Sequence, residues 1–104
     1  MSNWSSYNFG KSIGATGEGG VILYDEEHTD GARITLKRAK SYVSVSLNIY
    51  GWMDHTRFFN SDMDAQREYR AMRTTINTVL DLINNEASDI KIWEAISEFV
   101  RRFP

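Results

Sequence analysis

The apolar residues of this chain change their spacing once, at Ser61, from every second residue to every third or fourth. Alternation is the mark of a half-buried strand, and the longer period is the mark of an amphipathic helix. The strands therefore come first and the helices last. The clearest strand has Val43, Val45, Leu47 and Ile49 on one side and Tyr42, Ser44, Ser46, Asn48 and Tyr50 on the other. Ala32, Ile34 and Leu36 alternate in the same way with Arg33, Thr35 and Lys37. Val21-Ile22-Leu23-Tyr24 precedes them. Asp30-Gly31 is a strong hairpin signal, because glycine accepts the positive φ of a tight turn. After a break at Gly51, extended character resumes at Thr56-Arg57-Phe58-Phe59.

Ser61 and Asp64 have the spacing of a capping box. The stripe that follows runs Ala65, Tyr69, Met72, Ile76, Val79 and Ile83, widened by Leu80. Ser88 or Asp89 caps a second helix with the stripe Ile92, Trp93, Ile96, Phe99, Val100 and Phe103. One apolar sheet face and two one-sided helices satisfy each other in two layers. The expected fold is α+β: a four-stranded antiparallel meander covered on one face by two C-terminal helices. Its core would include Trp93, Phe99 and Phe103. The other sheet face would stay open, as an antiparallel sheet tolerates.

The chain divides into an arm, 1–20, and a single α+β domain, 21–104. Gly10, Gly14, Gly17, Gly19 and Gly20 crowd into the last eleven positions of the arm. Glycine is costly to order and offers nothing to pack, so this stretch reads as flexible. Trp4, Tyr7 and Phe9 precede it and predict docking, either on the chain's own sheet edge or on a partner. With 104 residues, 41% of them hydrophobic, the chain can bury a core. It has no cysteine, which excludes disulfides, thiolate metal sites and cysteine nucleophiles, and suits a reducing cytoplasm. The start carries no basic and apolar leader, and no apolar run approaches the ~20 residues of a membrane helix.

The formal charge of −2 conceals a division. Residues 1–30 carry one basic and five acidic groups, and residues 31–60 carry five basic and one acidic. The basic stretch coincides with the central strands.

Sequence motifs for catalysis or cofactors do not survive inspection. Gly10-Lys11-Ser12 resembles the end of a phosphate loop, but Ser5 stands where the first glycine belongs and glycine-rich coil follows. Asp25, Glu26, Glu27, His28 and Asp30 crowd near the first hairpin; Lys37 stands where a calcium loop would need its Glu, so they read as a solvated hairpin tip. Asn3-Trp4-Ser5 matches a glycosylation acceptor by chance. Arg67, Arg70 and Arg73 recur along the first helix and read as intrachain ion-pair partners. No cofactor and no metal site is expected.

The open sheet face is the candidate site, with Arg33, Lys37, Tyr42, Asn48 and Tyr50 as its binding residues. Tyrosine and arginine favour protein interfaces. The chain therefore reads as a small non-enzymatic interaction domain, adaptor-like or inhibitor-like, cytoplasmic, binding a protein partner or a second copy through that face and the aromatic arm. Two alternatives stand beside it. The same basic and aromatic face could bind single-stranded nucleic acid. Trp52, Asp54 and His55 could form a small-ligand or enzymatic site, if a turn brings the acid and the imidazole together.

Overall fold

The computed structural model of the protein describes residues 3–17 and 19–104. Trp4–Ser6 forms β1, and Tyr7–Gly10 a short 3-10 turn. Thr16–Gly17 forms β2, Gly20–His28 β3, Ala32–Arg38 β4, Val43–Ile49 β5 and Met53–Phe59 β6. Two helices follow, α1 over Asp62–Asn84 and α2 over Asp89–Arg102. The fold is α+β, an antiparallel sheet packed against two C-terminal helices.

The sheet has six strands rather than four, in the order β1-β3-β4-β5-β6, with β2 also paired to β3. β3 to β6 are the expected meander. The two extra strands come from the glycine-rich start. They span three and two residues, too short for any alternation to show. The segment read as an arm is thus laid along its own sheet edge; Met1, Ser2 and Glu18 of it lie outside the described residues.

Directly opposed residues share a face. Ala32, Ile34 and Leu36 of β4 and Val43, Val45, Leu47 and Ile49 of β5 form the inner face, all buried. Ala65, Tyr69, Met72, Ile76, Val79 and Leu80 of α1 cover them, together with Ile92, Ile96 and Phe99 of α2. Both helix starts are capped by serine: Ser61 Oγ accepts from the Asp64 amide, half of the expected capping box, with the Asp64 carboxylate turned to Arg67 instead, and Ser88 Oγ accepts from the Lys91 amide. Trp93 departs from its expected place. It is 49% exposed and packs its ring against Trp52, 5.2 Å away between centroids. Ile92 and Ile96 already fill the inward stripe, and a ring as large as indole one residue beside it is pushed to the rim.

The acidic run also differs from its expected place. Asp25 to His28 belong to β3 and not to the hairpin tip, which is Thr29 to Gly31. Alternation therefore sends these four side chains to opposite faces. Glu26 and His28 stand opposite Ile34 and Ala32, on the inner face; Asp25 and Glu27 stand opposite Thr35 and Arg33, on the outer face. Glu26 survives at the core margin because Tyr69 Oη donates to it at 2.7 Å and Arg73 grips both its oxygens at 2.8 and 2.9 Å. Burial, then the bond to Glu26, pushes the Tyr69 phenol well above its ordinary value.

Candidate interaction face

The outer face is ordered in rows across the strands. One row reads Glu27, Arg33, Asn48, Asp54; the next reads Asp25, Thr35, Ser46, Thr56; a third reads Ile22, Lys37, Ser44, Phe58. The sequence-expected residues Arg33, Lys37 and Asn48 are thus neighbours, and Tyr42 and Tyr50 flank β5 at its two ends. Those ends lie about 20 Å apart at strand rise. Between them Lys37, Ser46, Asn48, Asp54 and Thr56 line a shallow polar groove.

The charges of this face are largely spent internally. Arg33 forms a two-pronged bond to Asp25, Nε to Oδ1 at 2.9 Å and Nη2 to Oδ2 at 2.7 Å. Such fork-to-fork pairs are among the stronger polar contacts. Thr35 Oγ1 donates to Asp25 at 2.9 Å. The Ser12 hydroxyl is buried beside them; its placed geometry completes no bond, yet a hydroxyl proton rotates and favours the charged carboxylate. Burial raises the Asp25 carboxyl, but Arg33, Ser12 and Thr35 outweigh burial and hold it below the ordinary carboxylate value. The Tyr7 ring, carried by the 3-10 turn, covers the Arg33 guanidinium at 3.7 Å. Tyr50 Oη donates to Glu27 at 2.7 Å, and burial followed by that bond pushes its phenol up to about 12.

The sign of the Asp25 effect follows from linkage. A depressed carboxyl contributes stability that is fully present above its unfolded value of about 3.9 and is lost as pH falls through the folded value. Asp25→Asn removes that charge from a side chain with no exposure. It should cost about 2 kcal/mol at neutral pH. It should also flatten the fall in stability below about pH 4. Urea unfolding at several pH values reads both, and equal acid slopes for the two proteins would refute the role of this pair.

Apart from Asp54 and small hydroxyl residues, what remains exposed on the face is aromatic. Phe58 is 67% exposed and meets the Tyr42 ring edge-on at 5.5 Å. Of the arm aromatics, Trp4 is buried and Tyr7 is engaged, while Phe9 stands 92% exposed. Phe9 and Asn8 hold φ of +58° and +50°. A bulky residue in that region is strained, by order 1–3 kcal/mol. Phe58 was not among the sequence-expected site residues; its place opposite Ser44 could have been read from the register of a 43–49/53–59 hairpin.

The secondary candidates are not brought together. Asp54 lies opposite Asn48 on the outer face and His55 opposite Leu47 on the inner face, because both belong to β6 and not to a turn. His55 Nε2 meets the Phe103 carbonyl oxygen at 2.5 Å. Trp52 belongs to the Trp93 pair at the rim. Of the α1 arginines, Arg67 pairs with Asp64 and Glu68 as expected, Arg73 pairs within the chain but with Glu26 of β3, and Arg70 has no ion pair among the described residues. Among the described residues no cluster of three or more metal-ligating side chains occurs, and no helix is long and apolar enough to cross a membrane. Compared with protein-family models, curated proteins and solved structures, the chain matches none, and the outer face itself carries the functional reading.

Proposed function

We propose that the protein is a small non-catalytic interaction domain that binds another protein through the outer sheet face, with Phe58 and Tyr42 as apolar anchors and Phe9 contributed by the arm segment. The observation that supports this is the internal neutralisation of the face. Arg33 is committed to Asp25 and Tyr50 to Glu27, so the large exposed groups left at its margin are aromatic, with Asp54 the one exposed charge beside them among the described residues. Phosphate binding requires uncommitted cations, and on this face Lys37 is the one basic group without an ion pair among the described residues. That favours a protein partner over single-stranded nucleic acid. The small-ligand reading at Asp54 and His55 has less support, since the two side chains diverge. A cytoplasmic location belongs to this proposal on the chain's lack of cysteine.

Affinity capture from the native host with wild type and with Phe58→Ser tests the reading. Exposed anchors at an interface centre cost 1 kcal/mol or more, about fivefold or greater in affinity. The expected result is a captured protein that Phe58→Ser releases while its own unfolding curve stays unchanged. Retention of the same protein by Phe58→Ser and by Tyr42→Ser overturns it. Tight binding of a labelled oligonucleotide that collapses as salt rises would instead support the nucleic-acid alternative.

A further inference from the structure

The two edges of this sheet are treated differently. β1 pairs with the end of β3 through Trp4↔His28, Ser5↔Glu27 and Ser6↔Glu26, and β2 pairs with its start through Thr16↔Val21 and Gly17↔Gly20. That edge is largely closed by the chain itself. β6, at the opposite edge, has no further strand beside it among the described residues.

Open edges are usually blunted by shortness, a bulge, proline, lysine or an inward-pointing charge. β6 is seven residues long, keeps an unbroken register with β5, and contains neither proline nor lysine. It carries an inward-pointing charge, Arg57, which is already spent, and one exposed charge, Asp54, which turns away any strand that brings no cation opposite it. Arg57 points inward, donates to Glu68 Oε1 at 2.8 Å and to the Pro104 carbonyl at 3.1 Å, and lies over the Phe59 and Phe103 rings. A charge held so cannot swing out to repel an incoming strand.

We propose that β6 accepts an extended segment of a partner protein as an added antiparallel strand. This rests on the protein-binding reading above and names its mode: main-chain bonds supply affinity, and alternate side chains supply selectivity. The outward side chains of such a segment lie beside Asp54, Thr56 and Phe58. Asp54 is exposed and has no ion pair among the described residues, so it selects a lysine or arginine. Phe58 selects an aromatic or aliphatic residue four positions away on the same face, with a small hydroxyl residue between. The occupant is an extended stretch of the pattern apolar, any, Ser or Thr, any, basic.

A second copy fits this edge poorly. A two-fold axis that pairs β6 with itself keeps the two outer faces on one side. Asp54 then meets only Asp54, Thr56 or Phe58 of the other copy, and none is a cation. On the inner face Arg57 meets only Met53, His55, Arg57 or Phe59, and none is an acid. Every in-strand register of such a dimer leaves Asp54 without a counter-charge, while Arg57 keeps only Glu68 of its own chain.

The probe is the blocked peptide acetyl-Ser-Phe-Glu-Thr-Ser-Lys-Ser-amide, titrated into the isotope-labelled full chain. Amide exchange should slow at alternating residues within 53–59, and shifts should centre there. Two N-methylated forms of the peptide, with the methyl groups on alternate amides in opposite phase, separate a ladder from side-chain adhesion: one form should lose binding and the other keep it. Asp54→Lys should weaken binding by roughly threefold to tenfold. Unchanged β6 exchange at millimolar peptide overturns the proposal, as does equal binding of both methylated forms. Protection of β6 that grows with protein concentration and needs no peptide identifies a second copy and also overturns it. A captured partner that depends on Phe58 and Tyr42 yet leaves β6 exchange unaltered sinks strand addition alone and spares the face.

Discussion

Replacing Trp4 by alanine should lower the unfolding free energy by about 3 kcal/mol, an effect on the scale of a central core truncation. Only three residues form β1, too few to hold an edge by backbone bonds alone. The indole supplies the anchor. It is 9% exposed, sits edge-on to the His28 ring at 5.0 Å, and donates from Nε1 to Asn77 Oδ1 on α1 at 3.1 Å. Truncation leaves a cavity beneath β1 and removes the donor from the Asn77 carbonyl. It also frees the edge of β3 that β1 covers. Urea unfolding should show the loss, and hydrogen exchange should quicken at residues 26–28 ahead of the rest of the sheet. A loss below about 1 kcal/mol, with exchange there unchanged, would mean that the segment is held by something other than Trp4.

Gly20→Ala should be at least as damaging. Gly20 opens β3 with φ of +104°, and a methyl carbon added there would sit 2.0 Å from the Arg38 carbonyl oxygen and 2.7 Å from the Ala39 Cα. These are backbone atoms of the neighbouring strand end and cannot swing aside. Either β3 separates from β4 at that end or the backbone shifts, at about 3 kcal/mol or more. Gly51→Ala is the control. Its φ is +83°, but nothing lies within 4 Å of an added methyl group. It should cost only the left-handed penalty, about 1 kcal/mol. Thermal unfolding of the two variants separates crowding from conformation, and equal midpoints would refute the close approach at Gly20.

Gly20 also shows where the sequence misleads. Read locally, it is one of five glycines in a floppy stretch; in the fold it is the place where one strand end passes close over another. Glycine has the same local signature in both roles, because the difference lies in an atom eighteen residues away along the chain. The acidic run at Asp25 misled for a related reason. Consecutive polar residues resemble a turn, and only the alternation of β3 separates Asp25, bound to Arg33, from Glu26, bound to Arg73. Phe58 was legible as part of a strand but not as an exposed aromatic, since its exposure depends on β6 being the last strand of the sheet among the described residues.

The amphipathic pattern alone determined the meander, the inner and outer residues of β4 and β5, the two helices and the two-layer arrangement. Each of these follows from local periodicity, because one buried face imposes one repeat on every element that touches it. Tertiary structure alone decided that the glycine-rich start closes one sheet edge, that Arg33 and Tyr50 are tied down by Asp25 and Glu27, and that no further strand joins β6 among the described residues. Those outcomes depend on which groups from distant parts of the chain arrive within bonding distance. No repeat in the sequence encodes that encounter, and it is the encounter that ties down Arg33 and Tyr50 and leaves Phe58 and Tyr42 exposed at the margin.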